Sequence, residues 1–165
     1  MGTDIIINSA IPSGQQMLTE SVGVDLVEVR ANPTRFPRIC NTLREESLGR
    51  LCNLVIGCCT LKGQTMPEED VKLTAVCLLN ALLTQNDYGT RSLSWVEIAH
   101  AIMVGALTAD MYGRISAETL YKAIINYIKG EGHEADRKAK ARRQRPAEAI
   151  PDTAIEALVG HFTDY

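Results

Sequence analysis

Apolar residues recur at helical spacing through the middle of the chain, from about residue 42 to residue 130. The clearest stripe falls at i, i+3, i+4, i+7, i+8 and i+11, and its members are Leu48, Leu51, Cys52, Val55, Ile56 and Cys59. A stripe of this kind is the buried face of an amphipathic helix. Gly63 follows it and predicts the end of that helix, because glycine readily adopts the left-handed conformation of a C-terminal cap.

Capping boxes predict where three of the helices begin. A hydroxyl residue stands three positions before a carboxylate in the segments Thr42-Leu43-Arg44-Glu45, Thr65-Met66-Pro67-Glu68 and Ser94-Trp95-Val96-Glu97. In such a box the two side chains satisfy free amides at the helix start. Ser116 predicts the start of a further helix. The helix after Pro67 is apolar around most of its circumference, so residues 73–83 are predicted to form the centre of the core.

These patterns predict an all-α fold, a compact orthogonal or bundle-like array of about four to six helices with a basic C-terminal tail. Aromatic residues make up only 5% of the chain, which favours helix packing over a β-sandwich. We divide the chain into a partly ordered N-terminal arm at 1–33 and a helical core domain at 34–130. A basic helix or linker at 131–151 and a short amphipathic helix at 152–165 follow.

Composition narrows the class of protein. The chain has 165 residues, is 45% hydrophobic and 22% charged, and carries a net charge of −3, which are values of a globular protein. We see no secretory signal and no apolar run of the roughly 18 to 20 residues that a membrane span needs. The five cysteines are most simply reduced thiols. We therefore expect a cytoplasmic protein with no membrane partner.

Motifs for catalysis or for metal binding are missing from the sequence. No Gly-rich phosphate loop, H-E-x-x-H or G-x-S-x-G occurs, and the cysteines and histidines lack the short paired spacing of zinc ligands. Cys52 and Cys59 lie on the apolar stripe and are expected to be buried, whereas Cys58 lies off it. We expect a non-enzymatic protein without a metal or a cofactor.

A run of cations stands out in a chain that is otherwise nearly neutral. It has six cations within nine residues and no acid among them, namely Arg137, Lys138, Lys140, Arg142, Arg143 and Arg145. These are the candidate nucleic-acid-binding residues, since such a run can neutralise phosphates and release counterions. The segment is helix-prone but shows neither an apolar stripe nor an interleaved aromatic residue, so single-strand or sequence-specific readout is not implied. The alternative is a solvated linker.

The C-terminal segment carries a narrow apolar face at i, i+3, i+4 and i+7, made of Ile155, Leu158, Val159 and Phe162. These are the candidate partner-binding residues, because an amphipathic helix can dock in a groove of another protein. The same face could instead fold back and cover its own domain, which is the commoner fate of such a segment. The sequence leaves both alternatives open.

About half of the chain resembles a group of small helical replication-accessory, helicase-loader-like proteins of Bacteroidetes phages and mobile elements. The resemblance rests on Met66-Pro67 to Leu83, Trp95 to Leu107, Asp110-Met111-Tyr112-Gly113-Arg114-Ile115, and Leu120 to Lys129 with its Tyr127-Ile128 pair, followed by the basic tail. It implies a small helical domain and a mobile tail that contact a replicative helicase and DNA. It implies no catalytic residue.

We therefore expect a non-enzymatic adaptor or replication accessory protein of a mobile element, with a protein partner such as a replicative helicase and with DNA as a second candidate partner. One alternative is a helix-turn-helix-like DNA-binding regulator, built from the helices that begin after Ser94 and Ser116. Against it, apolar residues fill much of the second helix and the cations lie beyond it. A helical domain with no nucleic-acid role, or an enzyme without a visible motif, would also fit the sequence.

Overall fold

The computed structural model describes the backbone of residues 11–108 and 114–148 and the side chains of residues 11–105 and 114–143. Its helices are α1 (Gly14–Glu20), α2 (Leu26–Ala31), α3 (Arg44–Lys62), α4 (Glu68–Leu83), α5 (Trp95–Ile102), α6 (Ala117–Tyr127) and α7 (His133–Glu148). Two 3₁₀ turns (Ile39–Asn41 and Thr90–Ser92) and two π-helical segments (Met103–Thr108 and Ile128–Gly132) connect them. No strand occurs within the described residues, and the predicted all-α fold is confirmed.

Helix α3 is the centre of the core, because α1 packs against one side of it and α4 against another. Its fully buried side chains include Leu51, Leu54, Val55 and Cys58. The burial of Cys58 corrects the expectation that this residue lies off the buried face. With neighbours on two sides, the buried surface of α3 is wider than the single stripe seen in the sequence.

Helix α4 is less buried than its composition predicted. It packs against α3 and α6 and buries Leu78, Leu79 and Leu82, but Leu73 is 63% exposed. The prediction that the core centre extends to residue 73 is therefore wrong at its first residue. Ile56 of the α3 stripe is likewise 40% exposed, since it lies on the side of α3 that is not covered.

Residues 14–31 form two helices of the core, although the sequence predicted a partly ordered arm over residues 1–33. Met17, Leu18 and Val29 are buried. The crossing of α1 and α3 depends on two glycines, since a Cβ at Gly57 would lie 2.6 Å from the carbonyl carbon of Gly14. The ambiguous apolar pattern of this segment reflects its short helices, which are held by packing and not by a long stripe.

Two of the three predicted capping boxes are wrong. Helices α3 and α4 begin at Arg44 and Glu68, and neither has a side chain that caps it. Thr42 instead donates a hydrogen bond to the Arg38 carbonyl and accepts one from the Trp95 indole N–H at 3.0 Å. The Thr42 hydroxyl, which the local pattern predicted as the cap of α3, therefore takes part in a tertiary contact with Trp95 instead.

The other local signals are confirmed. The capping box at Ser94 is complete, and the Ser116 hydroxyl accepts a hydrogen bond from the amide of Thr119. Gly63 ends α3 with a φ of 66°, the left-handed value for which glycine is suited. The π-helical segment Ile128–Gly132, which contains Gly130 and Gly132, carries the chain from α6 into α7 without a loop.

Candidate functional site

The basic run folds as helix α7, which packs against α2. Ala135 and Ala139, one helical turn apart, are 4% and 1% exposed. These two small residues form the apolar contact of α7 with α2. The sequence pattern did not show this contact, because alanine lets two helices approach closely without making a hydrophobic stripe. The described part of the predicted tail is thus a docked helix with a defined inner and outer side.

The described cations of α7 are exposed, although each lies close to an acid or a carbonyl. Arg137, Lys138, Lys140 and Arg142 have side chains that are 63%, 57%, 67% and 52% exposed. Arg143 is also exposed, and it donates a hydrogen bond of 2.9 Å to a carbonyl of α2. The side chain of Arg145 lies outside the described residues, although its backbone belongs to α7.

A buried polar cluster, made of Arg30, Glu97, Tyr127 and Asp136, lies where α7 meets the core. The Glu97 carboxylate is 1% exposed and accepts hydrogen bonds from the Tyr127 hydroxyl at 2.8 Å and from Arg30 at 3.3 Å. It also accepts from the Ser94 amide at 3.2 Å, which completes the capping box of α5. Glu97 therefore fixes a helix start and neutralises a buried guanidinium at the same time.

Arg30 connects this cluster to α7. Its guanidinium donates to Glu97, to the Ser92 carbonyl at 3.0 Å, and to the carboxylate of Asp136 in α7 at 3.1 Å. Its own backbone carbonyl accepts the hydrogen bond from Arg143. One residue of α2 thus binds α7 at two points about two helical turns apart, which holds the basic helix in one orientation on the domain.

The ionisation of the cluster follows from burial and from the neighbouring charges. Burial and the negative charge of Glu97 raise the pKa of Tyr127, so the phenol stays protonated and donates. Burial opposes ionisation of Asp136, but hydrogen bonds and charges from Lys140 and Arg30 outweigh it and lower the pKa of the carboxyl. Asp136 therefore keeps its negative charge, and Tyr127 its proton, at neutral pH.

Sequence reasoning missed this cluster. Glu97 was recognised only as the capping partner of Ser94, and nothing in the local pattern singles out Arg30 or Asp136, which are separated by 106 positions. The pairing arises only when α7 folds back across α2. The four candidate partner-binding residues, Ile155, Leu158, Val159 and Phe162, lie outside the described residues.

No family model, curated protein or solved structure matches the chain. Among residues 11–108 and 114–148, no helix is both long and apolar enough to cross a membrane. In the same ranges, no three histidine, cysteine or acidic side chains lie together as they would around a metal ion. The features that remain for a functional argument are the outer face of α7 and the buried cluster that holds the helix in place.

Proposed function

We propose that this chain is a non-enzymatic adaptor or replication accessory protein of a mobile element, which binds a protein partner and contacts nucleic acid through α7. The observation that carries the proposal is the arrangement of α7. Its alanines and Asp136 contact the domain, while the side chains of Arg137, Lys138, Lys140 and Arg142 are each more than half exposed. A rigid helix that presents several cations on one side can neutralise several backbone phosphates together.

Preorganisation of α7 supports the proposal. A mobile basic segment must be ordered when it binds, which costs conformational entropy. Helix α7 is already helical and is already anchored through Arg30. The partner class, a replicative helicase, comes from the resemblance of residues 65–145 to helicase-loader-like proteins and not from the geometry.

The helix-turn-helix alternative receives less support. Its recognition helix would be α6, but Leu120, Ile124 and Ile125 of that helix are buried. The exposed Lys122 of α6 is 2.9 Å from the carboxylate of Glu118 one turn earlier. Helix α6 therefore offers a base-reading surface with little positive charge.

Binding of labelled duplex DNA to the full chain, followed by fluorescence anisotropy at low and high salt, tests the nucleic-acid part. We expect binding that weakens with salt and that is unchanged in Lys122→Gln, the control in α6. Charge substitutions are preferable to removal of α7, because truncation would uncover the surface against which Ala135 and Ala139 pack. Loss of binding in Lys122→Gln would support the helix-turn-helix alternative, and absence of binding at low salt would refute nucleic-acid contact.

The protein-partner part needs a separate measurement. We expect the chain to form a complex with the replicative helicase encoded by the same mobile element, detected as co-elution in size-exclusion chromatography of the purified proteins. Independent elution at micromolar concentrations would refute this choice of partner and would leave the nucleic-acid measurement unaffected.

A further inference from the structure

A groove of about 270 Å³ lies between α2 and α7. Two apolar residues, Val27 and Ala141, and three cations, Arg137, Lys138 and Arg142, line it. No aromatic ring is among these residues. Among the five cations of the basic run whose side chains are described, the groove brings together three.

The acidic side chains near this groove lie at different distances from its three cations. Glu134 forms a close ion pair with Arg137, but it is 3.8 Å from the Lys138 ammonium. Glu28 of α2 is 3.9 Å from the Arg142 guanidinium. Both of the longer distances exceed a hydrogen bond. Lys138 and Arg142 therefore keep donors that a ligand can use, while Arg137 contributes charge beside them.

The two described cations outside the groove, Lys140 and Arg143, already have hydrogen-bond partners. The Lys140 ammonium lies 2.9 Å from Asp136, the carboxylate that also binds Arg30. Arg143 donates to the Arg30 carbonyl at 2.9 Å. Both contacts are short enough to be hydrogen bonds. The Arg143 bond joins α7 to α2, whereas the Lys140 pair lies within α7 and engages the carboxylate that binds Arg30. The structure thus separates Lys140 and Arg143, which are hydrogen-bonded, from Lys138 and Arg142, which keep available donors.

We propose that the groove between α2 and α7 binds two neighbouring phosphates of a duplex nucleic-acid backbone, with Arg142 and Lys138 each as a donor to one of them and Arg137 as an adjacent positive charge. This inference rests on the proposed function, since it names the contact point of the same helix. Arginine donors suit phosphate oxygens because the planar guanidinium can form two parallel hydrogen bonds. A duplex is favoured over a single strand because the groove has no ring on which a base could stack.

Adjacent arginines provide a matched test, because Arg142 lines the groove and Arg143 anchors the helix. Affinity of the full chain for a labelled duplex is measured over a salt series for wild type, Arg142→Gln and Arg143→Gln. Each phosphate contact contributes about 0.9 to the slope of log affinity against log salt. We expect Arg142→Gln to reduce the steepness of that slope by about 0.9, and to weaken binding roughly fivefold to tenfold at 0.1 M salt. We expect Arg143→Gln to leave the slope unchanged.

Two further variants show whether a change in affinity comes from the lost charge or from loss of structure. Lys138→Gln should behave as Arg142→Gln, and Lys140→Gln should behave as Arg143→Gln, with helix content checked by circular dichroism in all four. If wild type binds but the groove variants and the anchoring variants have equal slopes, the groove assignment is wrong while the proposed function stands. If wild type does not bind duplex at the lowest salt, the proposed function itself fails.

Two competitors identify the kind of ligand. Excess single strand of the same length should displace the labelled duplex poorly. Equal displacement would overturn the preference for a duplex. Excess polyglutamate should also be a poor competitor, and displacement by it as effective as by duplex would overturn phosphate recognition in favour of an acidic peptide.

Discussion

Substitution of Glu97 by glutamine tests the role of the buried cluster in stability. The change keeps the size and shape of the side chain, and it removes one negative charge from a site that is 1% exposed. Wild-type Glu97 accepts hydrogen bonds from Tyr127, Ser94 and Arg30. In the variant, one acceptor oxygen becomes an NH₂ group that faces a donor, and Arg30 keeps only Asp136 as a countercharge.

The magnitude follows from the burial of the two groups. Removal of one partner of a buried ion pair costs about 3–5 kcal/mol in unfolding free energy. The effect here should be smaller, because the Arg30 side chain is 12% exposed and retains both Asp136 and the Ser92 carbonyl. We expect Glu97→Gln to lower the unfolding free energy by about 2–3 kcal/mol, which in a domain of this size lowers the melting temperature by roughly 5–10 °C.

Urea denaturation followed by circular dichroism measures this difference. We expect a lower midpoint with an unchanged dependence on urea, since the fold is the same. Glu118→Gln is the control, because that carboxylate forms an exposed pair with Lys122 and its loss should leave the midpoint unchanged. A Glu97→Gln midpoint equal to that of wild type would show that the buried pair does not stabilise the domain.

Three further predictions concern the core, the thiols and pH. Gly57→Ala should lower the unfolding free energy by about 1–3 kcal/mol although alanine is the better helix former, because the new Cβ meets the α1 backbone. Gly130→Ala, with open space around the new Cβ, should not destabilise the domain. Thermal melts in which Gly130→Ala is the less stable variant would contradict the close crossing of α1 and α3. A thiol reagent should modify Cys40 and Cys77 in the native protein but not Cys58, because burial raises the pKa of the Cys58 thiol to about 12. If mass spectrometry finds Cys58 modified as fast as Cys77, the burial of Cys58 is refuted. The lowered pKa of Asp136 implies a contribution to folding stability that is present above the ordinary value of 3.8 and is lost as the pH falls through the folded-state pKa. The difference in stability between wild type and Asp136→Asn should therefore shrink on acidification. A difference in urea midpoints that stays constant between neutral and acid pH would argue against this contribution.

The sequence predicted those parts of the fold that depend on neighbouring residues. The start of α5 at Ser94, the start of α6 at Ser116 and the end of α3 at Gly63 follow from hydrogen bonds and backbone conformations within a few positions. The capping prediction at Thr42 failed for the opposite reason. In the structure, the indole of Trp95, which is 53 positions away from Thr42, competes for the hydroxyl.

The candidate site was only half predictable. The cations of α7 were visible as a run of like charges, but the run gave no indication that Lys140 and Arg143 face anchoring partners while Arg142 lines a groove. That division depends on Arg30, which reaches α7 only through the tertiary fold. A pattern of two alanines cannot be distinguished from a solvated helix until the surface against which they pack is known.

The salt dependence of duplex binding by the full chain tests the central claim most directly, since that claim is that the outer face of α7 contacts backbone phosphates. The two cations with available donors, Lys138 and Arg142, predict that log affinity falls against log salt with a slope of about −1.8. Binding would then weaken about 12-fold between 50 and 200 mM salt. A slope near zero, or no binding at 50 mM salt, would contradict the account.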